Sequence, residues 1–155
     1  MRFCSRYPCV MPARHGITGQ VRPKRRSAPY PFILEALAAL EPEVRPMFSG
    51  FAVYVGEKIV FMLRDSLKQP KDNGVWLVFS ESANLADPGI RQDFPSLRLI
   101  DLLGGKIAHW RLIPADSSTF ESEALHACEL LLKHDVRFGR VPQSRQARPA
   151  KIRRK

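Results

Sequence analysis

Two β-rich runs, Phe51–Val55 (FAVYV) and Lys58–Leu63 (KIVFML), are separated only by Gly56-Glu57. A connection of two residues leaves an antiparallel hairpin as the natural link, and a Gly-X pair suits a type II′ turn. Both runs are apolar on both faces. Each strand must therefore be largely buried or covered by a helix, which a hairpin facing water on one side does not achieve. The 155 residues of the chain suffice for one domain with one core that buries about two-thirds of its unfolded surface.

The elements around the hairpin follow from spacing and punctuation. Phe32, Ile33, Ala36, Leu37 and Leu40 recur at helical spacing, with Pro31 in the first turn and Pro42 and Pro46 ending the run. Lys68–Gly74 (KQPKDNG) reads as a loop and Val75–Ser80 (VWLVFS) as a third strand. Asp87-Pro88 is a helix start, with Asp as N-cap and Pro as first helical residue; that helix stops at Phe94, before Pro95. Leu97–Leu103 fits either strand or helical turn, and Gly104-Gly105 is a turn. Lys106–Ile113 alternates as a fourth strand, with Ala108, Trp110 and Leu112 on one face and Ile107, His109 and Arg111 on the other. Thr119–His134 is the clearest helix. Ser118 and Glu121 form a capping box, and Phe120, Ala124, Ala127, Cys128 and Leu131 form one stripe. The order is α-β-β-β-α-β-α. The expected class is α+β, an antiparallel sheet of about four strands covered by helices.

Charge divides the chain into three. Residues 1–29 carry seven Lys/Arg and no acid, residues 137–155 carry eight and no acid, and residues 30–136 carry ten basic and fifteen acidic residues. The net charge of +10 thus belongs to the ends, and the middle is −5. We therefore expect a basic disordered tail at 1–29, a folded domain at 30–142 and a second basic disordered tail at 143–155. In the last of these, Arg145, Arg148, Lys151, Arg153, Arg154 and Lys155 either form a solvated extension or engage phosphates without sequence specificity. Six phosphate pairs would give a log–log salt slope of about −5. Phe138 is the nearest aromatic, so base stacking is not evident.

Three cysteines, Cys4, Cys9 and Cys128, cannot pair completely, which points to a reducing compartment. The start MRFCSRYPCVM has no apolar stretch of signal-peptide length, and the prolines of the first thirty residues spoil an amphipathic transit helix. The longest apolar helical stretch, Ile33–Leu40, is too short to span a bilayer. Cytoplasmic localisation without membrane contact is the expectation.

Chemistry is sparsely signalled. His109 and Arg111 share a strand face, with Asp101 and Asp116 nearby in sequence. A His–carboxylate acid/base pair stands there against an ordinary polar sheet face, and no nucleophile is spaced to join them. His126, Cys128 and His134 share a helix but point to different flanks, and Cys4 and Cys9 have no matching second pair, so no metal centre is expected. Met47, Phe48, Phe51 and Tyr54 surround Ser49-Gly50. They form either an apolar ligand pocket or core packing in which Gly50 permits a tight bend or bulge. No phosphate loop, dinucleotide fingerprint or nucleophile elbow is present. No catalytic residue and no cofactor are assigned.

The stretch Arg45–Leu63, RPMFSGFAVYVGEKIVFML, resembles the opening motif of the TfoX/Sxy N-terminal domain family. Arg45, Met47, Phe48, Gly50, Phe51, Tyr54 and Gly56 fill its places. HWRLIP at 109–114, followed by the 120–134 helix, is similar to the family's aromatic–Arg strand, proline and long helix. The resemblance covers residues 32 to 134. It implies an α+β fold and a single-domain, non-enzymatic bacterial protein linked to regulation of competence, acting through a protein partner. The basic ends would add non-specific affinity for nucleic acid. The alternative is a small-ligand or enzymatic domain that uses Met47, Phe48, Phe51 and Tyr54 together with His109 and Arg111.

Overall fold

A computed structural model describes residues 27–103 and 109–142. Its strands are β1 (Glu43–Met47), β2 (Gly50–Val55), β3 (Lys58–Arg64), β4 (Gly74–Val78) and β5 (Trp110–Pro114), antiparallel throughout and adjacent in chain order. Helices α1 (Pro31–Ala36), α2 (Pro88–Asp93) and α3 (Phe120–Leu132) complete an α+β domain. Among the described residues no helix is long and apolar enough to cross a membrane.

The central hairpin forms as its sequence dictates. Val55 pairs with Lys58, and of the two loop residues only Gly56 has a positive φ, 60°, the type II′ pattern. A bulge follows. Val53 faces Phe61 and Tyr54 faces Ile59, so Val60 has no partner and turns to the same side as Phe61. β3 is buried from Ile59 to Arg64 and β4 along its whole length. One face carries Val53, Phe61, Leu63, Val75, Leu77 and Ile113 against α1 and α3. The other carries Tyr54, Met62, Trp76, Val78 and Leu112, with Ile100 of the β4–β5 connection packed on it.

The fifth strand, β1, is the element the sequence concealed. Pro42 and Pro46 read as breakers, yet Pro46 sits inside β1 opposite Phe51. In a two-residue hairpin the pair flanking the loop, here Met47 and Gly50, exchanges hydrogen bonds. Alternation then turns the backbone of Pro46 to the open side, where the missing N–H removes nothing from the ladder. The same proline blunts this edge against strand addition. At the opposite edge, Arg98 N donates to Leu112 O at 2.9 Å and Leu112 N to Arg98 O at 2.8 Å, so the 97–103 stretch contributes a bridge there and a 3-10 turn at Asp101–Leu103.

Helix termini agree with the sequence in one case and depart from it in another. Asp87 caps α2, its carboxylate accepting from Gly89 N at 2.9 Å, and Phe94 ends the helix. For α3 the N-cap is Thr119, not Ser118, and no capping box forms at Glu121. Glu123 takes over instead. It is buried, and accepts from Thr119 Oγ1 at 2.7 Å, Ser96 N at 2.9 Å and Ser96 Oγ. A carboxylate that satisfies a loop amide and hydroxyl in the interior outweighs a reciprocal cap on the surface. The expected stripe is present: Phe120, Ala124, Ala127, Cys128 and Leu131 are all buried.

The chain after α3 returns to the sheet. β3 and β4 pair only as far as Phe61 and Leu77. Beyond that point Arg140 bridges Ile59, Phe138 bridges Phe79, and Gly139 N donates to Val78 O at 2.8 Å. Phe138 stacks on Phe79 at 5.2 Å and meets Phe94 edge-on at 6.2 Å. Residues 138–140 therefore fill the splayed end of the sheet. The nearby cations are engaged: Arg137 with Asp135 at 2.7 Å and Asp93 at 3.2 Å, and Arg140 with Glu81 at 2.6 Å.

Two predictions test this construction. Gly74 has φ 141°, and a Cβ there would lie 2.1 Å from Ile113 O. Gly74→Ala should prise β5 from β4 and cost at least about 2 kcal/mol, read as a lower urea midpoint at unchanged m-value. The second concerns alkali. Burial pushes the Cys128 thiol up to about 12. Burial, with Asp65 nearby, pushes the Tyr30 hydroxyl up to about 12, while it donates to Arg64 O at 3.0 Å. Both groups bind their proton more tightly folded than unfolded. Their stabilising effect is complete below pH about 9 and is lost as pH rises toward 12. Thermal melts from pH 8 to 11 should show falling stability, with a shallower fall in Tyr30→Phe.

Candidate functional site

The six residues singled out from the sequence do not form one pocket. Met47, Phe48 and Phe51 do come together at the β1–β2 hairpin, where with Ala28, Leu34, Val44 and Pro46 they line an apolar groove of about 940 Å³. Tyr54 pairs with Ile59 and belongs to the cluster on the opposite face of the sheet from Phe51, a cluster against which Met47 at the rim of the groove also packs; there the Arg45 guanidinium lies 5.2 Å from its ring centre. Period-2 alternation explains the split, since Phe51 and Tyr54 are an odd number of residues apart.

His109 and Arg111 are farther away still. β5 lies three strand steps from β2, about 14 Å at the usual strand spacing. Arg111 faces Leu77 on the helix-covered side, donates from Nη1 to Trp110 O at 2.9 Å, and has its pKa lowered by burial. His109 precedes the strand; its carbonyl accepts from Phe79 N at 2.8 Å and its Nδ1 is buried without a hydrogen-bond partner. Among the described residues no carboxylate is ion-paired to His109, so the acid/base pair does not form. The hairpin groove and the His109/Arg111 end of β5 are therefore two separate places on the sheet.

The groove owes its shape to the hairpin tip. Phe48 and Ser49, the two loop residues, have φ 47° and 64°, the type I′ signature that favours Asn-Gly. Gly50, read from the sequence as permitting a tight bend or bulge, lies just past the turn. It begins β2, and its missing Cβ makes room for Leu63 O, which a Cβ would meet at 2.6 Å. Two non-glycine residues thus occupy left-handed backbone, at about 1–2 kcal/mol each. Phe48 is also 66% exposed at the groove. Strain and exposure together at one aromatic residue are a signal of use rather than of packing. The motif of Met, Phe, a small residue and Gly was visible in the sequence; the left-handed backbone beneath it was not.

The helix residues behave as core and surface. Cys128 is buried, its Sγ 3.9 Å from Ile33 O. His126 lies 3.2 Å from Asp93 and 3.7 Å from Glu129, and His134 sits beyond the helix. Among the described residues no three His, Cys, Asp or Glu side chains converge as metal ligands. The basic residues Arg145, Arg148, Lys151, Arg153, Arg154 and Lys155 lie outside the described residues, as do 1–26 and the Gly104-Gly105 turn.

No protein-family profile, no curated protein and no solved structure matches this chain. What can be said of its activity therefore comes from its own residues.

Proposed function

We propose that this protein is a non-enzymatic interaction module, similar in kind to the TfoX N-terminal domain, whose groove takes a cationic protein segment with an apolar anchor. One observation carries the reading: a strained, exposed Phe48 at an apolar groove. Charge indicates the kind of partner. Residues 30–142 hold twelve basic and fifteen acidic residues, a net of −3 that favours a basic segment and disfavours nucleic acid at the fold. Nucleic acid is the province of the basic ends, which add affinity without sequence preference. Arg137 and Arg140 are ion-paired within the fold, which leaves the six cations from Arg145 onward for that purpose.

Two measurements test the two halves of the proposal. Replacing Phe48-Ser49 by Asn-Gly should raise stability by about 1 kcal/mol. Peptides of random sequence selected on the protein should carry an aromatic or aliphatic residue flanked by Lys or Arg, and the Asn-Gly variant should not bind them. Selection of patternless peptides, or of peptides indifferent to the variant, overturns the groove. For the ends, removing residues 1–29 together with changing the six C-terminal cations to Gln should abolish most binding to a 30-base-pair duplex, the six cations alone lowering the salt slope by about 5. Unchanged affinity rejects that role.

A further inference from the structure

Three charged side chains are buried among the described residues: Asp72, Glu123 and Arg64. The two carboxylates are fully accounted for. Asp72 accepts from Leu102 N at 2.7 Å, Asp101 N at 3.1 Å and Arg98 Nη1 at 3.4 Å, which ties the β4–β5 connection to the 3-10 turn at Pro70–Asp72. Glu123 has the three donors described above. Arg64 is different. It is 1% exposed, yet its Nε and Nη1 have no partner. Its one side-chain hydrogen bond runs from Nη2 to the neutral Gln69 Oε1 at 3.3 Å. Its guanidinium lies 5.9 Å from the centre of the Trp76 ring, and among the described residues no Asp or Glu is ion-paired to it.

A buried cation without a counter-charge is strongly destabilising, whereas an apolar residue of similar volume in its place is tolerated. This fold meets the needs of its other two buried charges with geometry built for them, so the deficit at Arg64 is specific. We propose that Arg64 anchors a binding site for a small phosphate-type oxyanion, which supplies the missing negative charge. Charge-assisted N–H···O⁻ bonds from Nε and Nη1 would replace two unmade ones. Access lies through Gln69. It is exposed, and among the described residues it is the only hydrogen-bond acceptor of the guanidinium. It stands in the loop between Ser66 and Asn73, whose base is pinned by Ser66 N to Asn73 Oδ1 at 2.8 Å and Asn73 Nδ2 to Ser66 O at 2.9 Å. Lys68 and Lys71 flank Gln69 in the same loop, which favours a dianion over a monocarboxylate. The site is separate from the hairpin groove and does not depend on the reading of that groove.

The test titrates the full chain with inorganic phosphate, and with acetate and chloride at matched ionic strength, following the melting temperature. Phosphate should raise the melting temperature over chloride by about 3–6 °C at ten times its dissociation constant, with a further rise for each tenfold beyond that, and acetate should raise it less. Arg64→Met should lose the rise. Phosphate held by the basic ends persists in that variant and is subtracted by it. No rise over chloride, or an equal rise in Arg64→Met, overturns the proposal. If Arg64→Met does not fold, Gln69→Ala decides: removal of the competing acceptor should lower the phosphate dissociation constant fitted from the rise at least twofold, and an unchanged constant rejects the site.

Discussion

The burial of β3 and β4 on both faces governs everything around them. Two adjacent strands with scarcely a residue in contact with water need a cover on each side. α1 and α3 provide one, with Phe120 wedged edge-on against Tyr30 and Phe32 at 5.0 and 6.3 Å. The other side draws on the long excursion between β4 and β5, which brings Ile100 onto Met62, Trp76 and Leu112. That excursion could have been a two-residue hairpin loop. Its length makes sense as a cover, and Asp72 holds it down through the backbone amides of Asp101 and Leu102.

How far the sequence revealed this depends on whether the deciding interaction was local. The β2–β3 hairpin and the Asp87-Pro88 helix start are settled within a few residues by turn and capping chemistry, and both appear where their residues place them. The stripe of α3 is equally local. β1 was hidden because Pro46 is acceptable only on an open edge, and edge position belongs to the sheet, not to the residue. Thr119 displaces Ser118 as cap because Glu123 is recruited by Ser96, 27 residues away. The pocket residues were legible as types but not as a constellation. Met47, Phe48 and Phe51 line one groove, yet register turns Tyr54 to the face away from Phe51, where Met47 packs beside its cluster, and strand order sends His109 and Arg111 to the far side. Arg64 had no local signal at all, since it ends an apolar run where a charged residue commonly marks the exit to solvent.

The charge pattern gains meaning from the fold. The acid-free C-terminal stretch read as one basic block, but its first two cations are partners of Asp93, Asp135 and Glu81. They belong with the acidic domain, and Arg137 holds the end of α2 to the chain that leaves α3. Asp135 responds as a bound partner should, with the Arg137 hydrogen bond holding its carboxyl below the ordinary range. These half-buried pairs fix where the chain turns back toward the sheet.

That return places the last indispensable residues well past the final helix. A chain cut between His134 and Phe138 would keep every helix and every strand, and would still bare Phe79 and Phe94 together with the unpaired ends of β3 and β4. Those are the ingredients of edge-to-edge association. Chains that stop just short of Phe138 thus carry a nearly complete sheet with an exposed apolar end. Closure of the sheet thus rests on three residues, Phe138 to Arg140, that a secondary-structure diagram would leave unmarked.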